Sequence, residues 1–145
     1  MENTDVEILL VEDNLNDAEL TIRSLRKNNI CNKIIHLQDG VAATDFLLGK
    51  GEFEGRNVNN KPKLILLDLK MPKLDGLDVL SIIKTNEITK RIPVVILTSS
   101  KESPDIKKAY SLGANSYIVK PVDFDGFRKA VADVGLYWVV LNEQP

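Results

Sequence analysis

Leu64-Ile65-Leu66-Leu67-Asp68 is a run of four large aliphatic residues that stops abruptly on an acid. A short, continuous apolar run of this kind is what a strand needs when helices cover both faces of its sheet. Working outward, the same pattern appears in Ile8-Leu9-Leu10-Val11 before Glu12-Asp13, in Val94-Val95-Ile96-Leu97 before Thr98, and in Tyr117-Ile118-Val119 before Lys120. A fifth run, Ile34-Ile35-His36-Leu37, is broken by a histidine and suits a sheet edge.

The intervening stretches carry helical spacing. Leu20, Ile22 and Leu25 fall near one face; Leu77, Leu80, Ile82 and Ile83 form a second stripe, and Phe124, Phe127, Val131 and Val134 a third. Start and stop signals agree. Ser103-Pro104-Asp105 offers a cap, a first-turn proline and a first-turn acid, Asp123 can cap the last helix, and Gly113 is a C-terminal stop. Strand and helix alternating five times predict a doubly wound α/β sheet with helices on both faces. Residues 49–62, with three glycines and three asparagines, are long for a helix-to-strand connection and are expected to be mobile.

A length of 145 residues suits one domain, here 1–145, with a core over about residues 6–135 and an apolar tail over 135–145. The net charge of -2 argues against nucleic acid as a partner, because phosphate neutralisation needs a basic face. One cysteine, Cys31, cannot form an internal disulfide, and with His36 as the sole histidine a Cys/His metal site is excluded. No apolar run approaches membrane-spanning length, and the N-terminus lacks a signal peptide's basic region, so no membrane partner and a cytoplasmic setting are expected.

In an open parallel sheet, ligands bind beyond the carboxyl ends of the strands. The residues just past the runs are Glu12, Asp13, Asp68, Thr98 and Lys120, so three carboxylates, a hydroxyl and an amine should converge on one edge. Clustered carboxylates repel unless a cation sits among them, and oxygen-only donors suit magnesium. One carboxylate could then act as a nucleophile toward a phosphoryl group whose oxygens a lysine and a hydroxyl help to neutralise.

Leu10-Val11-Glu12-Asp13-Asn14, the segment from Leu66 through Asp68 and Pro72 to Gly76, Leu97-Thr98-Ser99 and Val119-Lys120-Pro121 together resemble the receiver domain of two-component response regulators. The resemblance implies a flavodoxin-like five-stranded parallel sheet of order 2-1-3-4-5. It implies that Asp68 is the phosphorylation site and that Mg2+ or Mn2+ is held by Glu12, Asp13, Asp68 and the backbone carbonyl of Lys70. Thr98 becomes the switch hydroxyl, Lys120 the phosphoryl-binding lysine, Tyr117 the switch aromatic, and Lys120–Pro121 a cis peptide. The donor would be a phosphohistidine on a sensor histidine kinase. The chain would not be an enzyme beyond its own phosphorylation and slow dephosphorylation. The long loop after the second helix and the tail around Trp138 resemble stand-alone receivers that partner phytochrome-type and hybrid kinases.

Tyr117 serves equally well as a half-buried strand aromatic; His36 reads as a strand residue without chemistry, Cys31 as a small hydrophobe, and Lys61 and Lys63 as a solvated strand entrance. Phe127, Leu136, Tyr137 and Trp138 suit core packing, yet the apolar tail favours a self-association surface and hence a homodimer. A haloacid-dehalogenase-type phosphatase needs a second acid where Lys70 stands. A flavodoxin-type carrier needs a phosphate loop where 13–17 is acidic. A folded but unphosphorylated pseudo-receiver is the alternative that stays open. Lys70 itself, two residues past Asp68, is expected to fold over the phosphoryl oxygens and obstruct hydrolytic water.

Overall fold

The computed structural model describes residues 8–27, 33–71, 73–99 and 104–133. Cys31, Pro72, Ser100, Ser103, Val134 and the apolar tail with Leu136, Tyr137 and Trp138 lie outside the described residues. Five strands, β1 (Ile8–Val11), β2 (Ile34–Leu37), β3 (Leu64–Asp68), β4 (Val94–Thr98) and β5 (Ser116–Val119), alternate with α1 (Leu15–Lys27), α2 (Gly40–Leu48), α3 (Gly76–Thr85), α4 (Pro104–Ser111) and α5 (Phe124–Asp133). The strands form one parallel sheet in the order β2-β1-β3-β4-β5. The histidine-broken run is indeed an edge strand. No helix among the described residues is long and apolar enough to cross a membrane.

Successive side chains of a strand point to opposite faces, which sorts the aliphatic runs into two cores. Leu9, Val11, Ile65, Leu67, Val94 and Ile96 pack with Ala43, Phe46, Val79, Leu80 and Ile83 from α2 and α3. Ile8, Leu10, Leu64, Leu66, Val95 and Leu97 pack with Ala18 and Leu25 of α1 and Phe127, Ala130 and Val131 of α5. All of β1, β3 and β4 is buried, as a centre covered on both faces requires.

Two expectations change. Leu20 is 49% exposed; the inner stripe of α1 is Ala18, Thr21 and Leu25, with Ile22 half-buried beside it. Nor is the 49–62 connection loose. Gly51–Phe53 forms a 3-10 turn, and the Arg56 guanidinium stacks 3.8 Å from the Phe46 ring centre while donating to the carbonyls of Phe46 and Asn60.

Candidate functional site

The site follows from strand register. Val11 stands opposite Leu67, so Glu12, one residue on, falls beside Asp68 at the end of β3. Asp68 is opposite Leu97 and Thr98 opposite Val119, so Thr98 and then Lys120 each project one residue further along the same edge. Local devices hold this edge in shape. Asn14 accepts from Asp17 N–H at 2.9 Å and starts α1, while Asp75 accepts from Leu77 N–H at 2.7 Å and caps α3. Gly76 brings α3 against the Asp68 turn: a Cβ there would lie 2.4 Å from the Asp68 carbonyl oxygen. Lys73 takes a left-handed φ of 67° in the same loop and reaches Asp39 at 3.3 Å. The Lys120–Pro121 bond is cis.

Glu12, Asp13 and Asp68 each present a carboxylate oxygen within 4.8 Å of the others. Glu12 is fully buried and Asp68 nearly so, while Asp13 lies closer to solvent. The Lys120 ammonium lies 3.2 Å from Glu12 Oε1, 3.2 Å from Asp17 Oδ2 and 3.4 Å from Asp68 Oδ2. Main-chain donors finish the frame: Lys70 N–H donates to Asp68 Oδ1 at 3.2 Å, and Asn14 N–H to Glu12 Oε2 at 3.3 Å. These groups and Thr98 line a cavity of about 300 Å³.

Burial, then the neighbouring Asp68 carboxylate, pushes the Glu12 carboxyl up to about 8, with Lys120 only partly offsetting the rise. Burial acts to lower the Lys120 ammonium, but Asp68 and Glu12 outweigh it and hold the lysine above its ordinary range. A tight set of hard oxygen donors is chemically matched to a small divalent cation.

Glu12, Asp13, Asp68, Thr98 and Lys120 are thus together. Lys70 lines the same cavity. The Lys70 side chain does not fold over Asp68; its ammonium lies 3.7 Å from Asp105 Oδ2 at the cavity mouth. Tyr117 is outside the cavity, edge-on to Tyr110 with ring centres 6.4 Å apart. His36, read as inert, contacts the Glu12 carbonyl oxygen at 2.7 Å through Nε2. Asp17 and Asp105 were missed as site residues. Their sequence signal was spacing: Asp17 is one helical turn past Asp13, and Asp105 opens the helix after Thr98.

The sequence model of the response regulator receiver domain matches residues 8–132 of this chain, with the acids, the threonine and the lysine inside the match. The chain belongs to the response-regulator receiver family. Response regulator Rcp1 of Synechocystis sp. is 42% identical over 132 residues, covering 91% of this receiver and 88% of that protein. A solved structure of Rcp1, in its Mn2+-bound form, superposes with a TM-score of 0.73 at 41% identity, covering 92% of this chain and 94% of that one. The bacteriophytochrome response regulator RtBRR matches at 46% identity with a TM-score of 0.86, over 98% of this chain and 85% of that one. The phosphorylated cyanobacterial phytochrome response regulator RcpA matches at 34% identity and a TM-score of 0.73, over 98% of both chains. Receivers are signalling modules of two-component systems rather than metabolic enzymes, and this receiver shares their five-stranded flavodoxin-like order.

Proposed function

We propose that this receiver takes a phosphoryl group onto Asp68 from the phosphohistidine of a sensor histidine kinase and passes the signal on through protein contacts or onward phosphorelay. The observation that carries the reading is the convergence on Asp68: two further carboxylates with oxygens within 4.8 Å and the Lys120 ammonium at 3.4 Å. Glu12, Asp13, Asp68 and the main-chain carbonyl of Lys70 would hold Mg2+ or Mn2+. A bound cation supplies charge neutralisation for the equatorial phosphoryl oxygens. Asp68 is the nucleophile, held by the Lys70 N–H on its Oδ1 and by the Lys120 ammonium 3.4 Å from its Oδ2. Lys120 neutralises phosphoryl oxygen charge, and Thr98, at the end of β4, supplies a hydroxyl hydrogen bond. Tyr117, on the neighbouring strand, follows Thr98 between two states.

A phytochrome-type or hybrid kinase is the partner class favoured by the similarity to RtBRR and RcpA. A cytoplasmic setting and self-association go with this reading. Incubation with acetyl phosphate and Mg2+ followed by intact-mass measurement tests it. Wild type should gain one phosphoryl group, and Asp68→Asn should fold but gain none. A variant labelled as fast as wild type sinks the assignment.

A further inference from the structure

Glu12 is held at both of its main-chain groups by the neighbouring edge strand. Its N–H donates to the Leu37 carbonyl at 3.1 Å, and its carbonyl takes the His36 side chain at 2.7 Å. A carbonyl oxygen can only accept, so Nε2 of the imidazole carries the proton in this contact. The bond is not a ladder bond, which any residue in β2 would make. It depends on the side chain of one residue, the single histidine of the chain.

That carbonyl belongs to the residue at which the chain leaves β1 for the loop that carries Glu12 and Asp13. Those two supply two of the three carboxylate oxygens gathered within 4.8 Å. A magnesium-sized cation demands oxygens at about 2.0–2.1 Å in near-octahedral array, so small displacements of the loop are costly to binding. Groups that orient metal ligands without touching the metal commonly matter for affinity.

We propose that His36 is a positioning residue for the divalent-cation site: its Nε2–H grips the Glu12 carbonyl and so sets where the Glu12 and Asp13 carboxylates stand relative to Asp68. This rests on the reading that the acidic cluster binds a cation, and the test separates the two. Mn2+ binding to the full chain is measured by calorimetry, with the metal-free melting temperature recorded for each variant. His36→Phe keeps a flat ring but has no donor. His36→Asn has an amide too short to reach, and His36→Gln places an amide N–H where Nε2 stands. The Phe and Asn variants should bind Mn2+ about tenfold more weakly, and Gln should restore near-native affinity. The Asn and Gln pair decides the matter even where the Phe variant fails to fold. Unchanged affinity in the Asn variant, or Gln as weak as Asn, overturns the role of His36 while leaving the cation site intact. A wild-type chain that binds no Mn2+ overturns both, and a loss of melting temperature with native affinity marks His36 as merely structural.

Discussion

Among the described residues, Lys120 is the one cation shown in direct contact with the carboxylate cluster, and its ammonium is shared among Glu12, Asp17 and Asp68. Lys70 stands further out, 85% exposed at its side chain and paired with Asp105. An exposed pair is weak, because both partners remain well solvated. An acyl phosphate on Asp68 would present concentrated negative charge to the same ammonium and draw the lysine inward. Lysine is too flexible to hold a precise transition-state geometry, so its stem should obstruct water more than its charge assists hydrolysis. Lys70→Ala is therefore expected to shorten the phosphoryl lifetime, by about tenfold if the obstruction is worth ~1.4 kcal/mol of barrier. Asp105→Asn, which releases the lysine, should lengthen it. The decay of phosphorylated mass after removal of the donor measures both, and a native lifetime in Lys70→Ala would end the shielding idea. The five convergent side chains were legible because each stands within two residues of the end of an apolar run. The contacts of His36, Asp17 and Asp105 were not, since a histidine inside a strand or an acid in a first helical turn has an ordinary local explanation.

Among the elements, α1 shows how a helix can be recognised and still be read in the wrong phase. Its inner stripe, Ala18, Thr21 and Leu25, includes a polar residue that is 1% exposed, while Leu20 points outward at 49%. Apolarity alone turns the helix toward Leu20. Packing turns it back, because Leu25 fills the core beneath β1 and β3. Leu25→Ala should cost about 2–5 kcal/mol, the range for emptying a buried leucine site. Leu20→Ala should change stability by no more than about 0.5 kcal/mol. Urea unfolding of the two variants checks this, and equal losses would put Leu20 on the inner face. The 49–62 connection failed for a similar reason. Glycine and asparagine content marks a loop, but the cation–π stacking of Arg56 on Phe46 that ties it down joins residues of separate segments.

At the scale of the whole molecule, the parallel sheet gathers acids at one end, and the fold must tolerate this wherever no cation is bound. The strand order was legible through the family resemblance, and the charge convergence through register, but the energetic consequence needed burial. Glu12 has its carboxyl raised from the ordinary 4.5 to about 8, first by burial and then by Asp68. The folded chain therefore holds a proton that the unfolded chain has released between those pH values. Stability rises with pH only where the unfolded state binds more protons, so here it must fall. The shifts of Asp39 and Lys120 leave this window clear. Asp39 is lowered, chiefly by the Ala42 N–H, so its contribution is lost only in acid below its ordinary 3.8. Lys120 is raised above 10.5, so its contribution persists throughout. Metal-free protein should accordingly melt at a lower temperature at about pH 8 than at about pH 6. Mg2+ should raise the melting temperature at both, and more at the higher pH, because there it no longer competes with a proton for Glu12. Repeating the scan in His36→Gln takes the one histidine out of the comparison, and in Glu12→Gln the alkaline loss should vanish. A metal-free melting temperature that stays level or climbs across this range would show that Glu12 is ionised in the folded chain, with Lys120 rather than a proton balancing its charge.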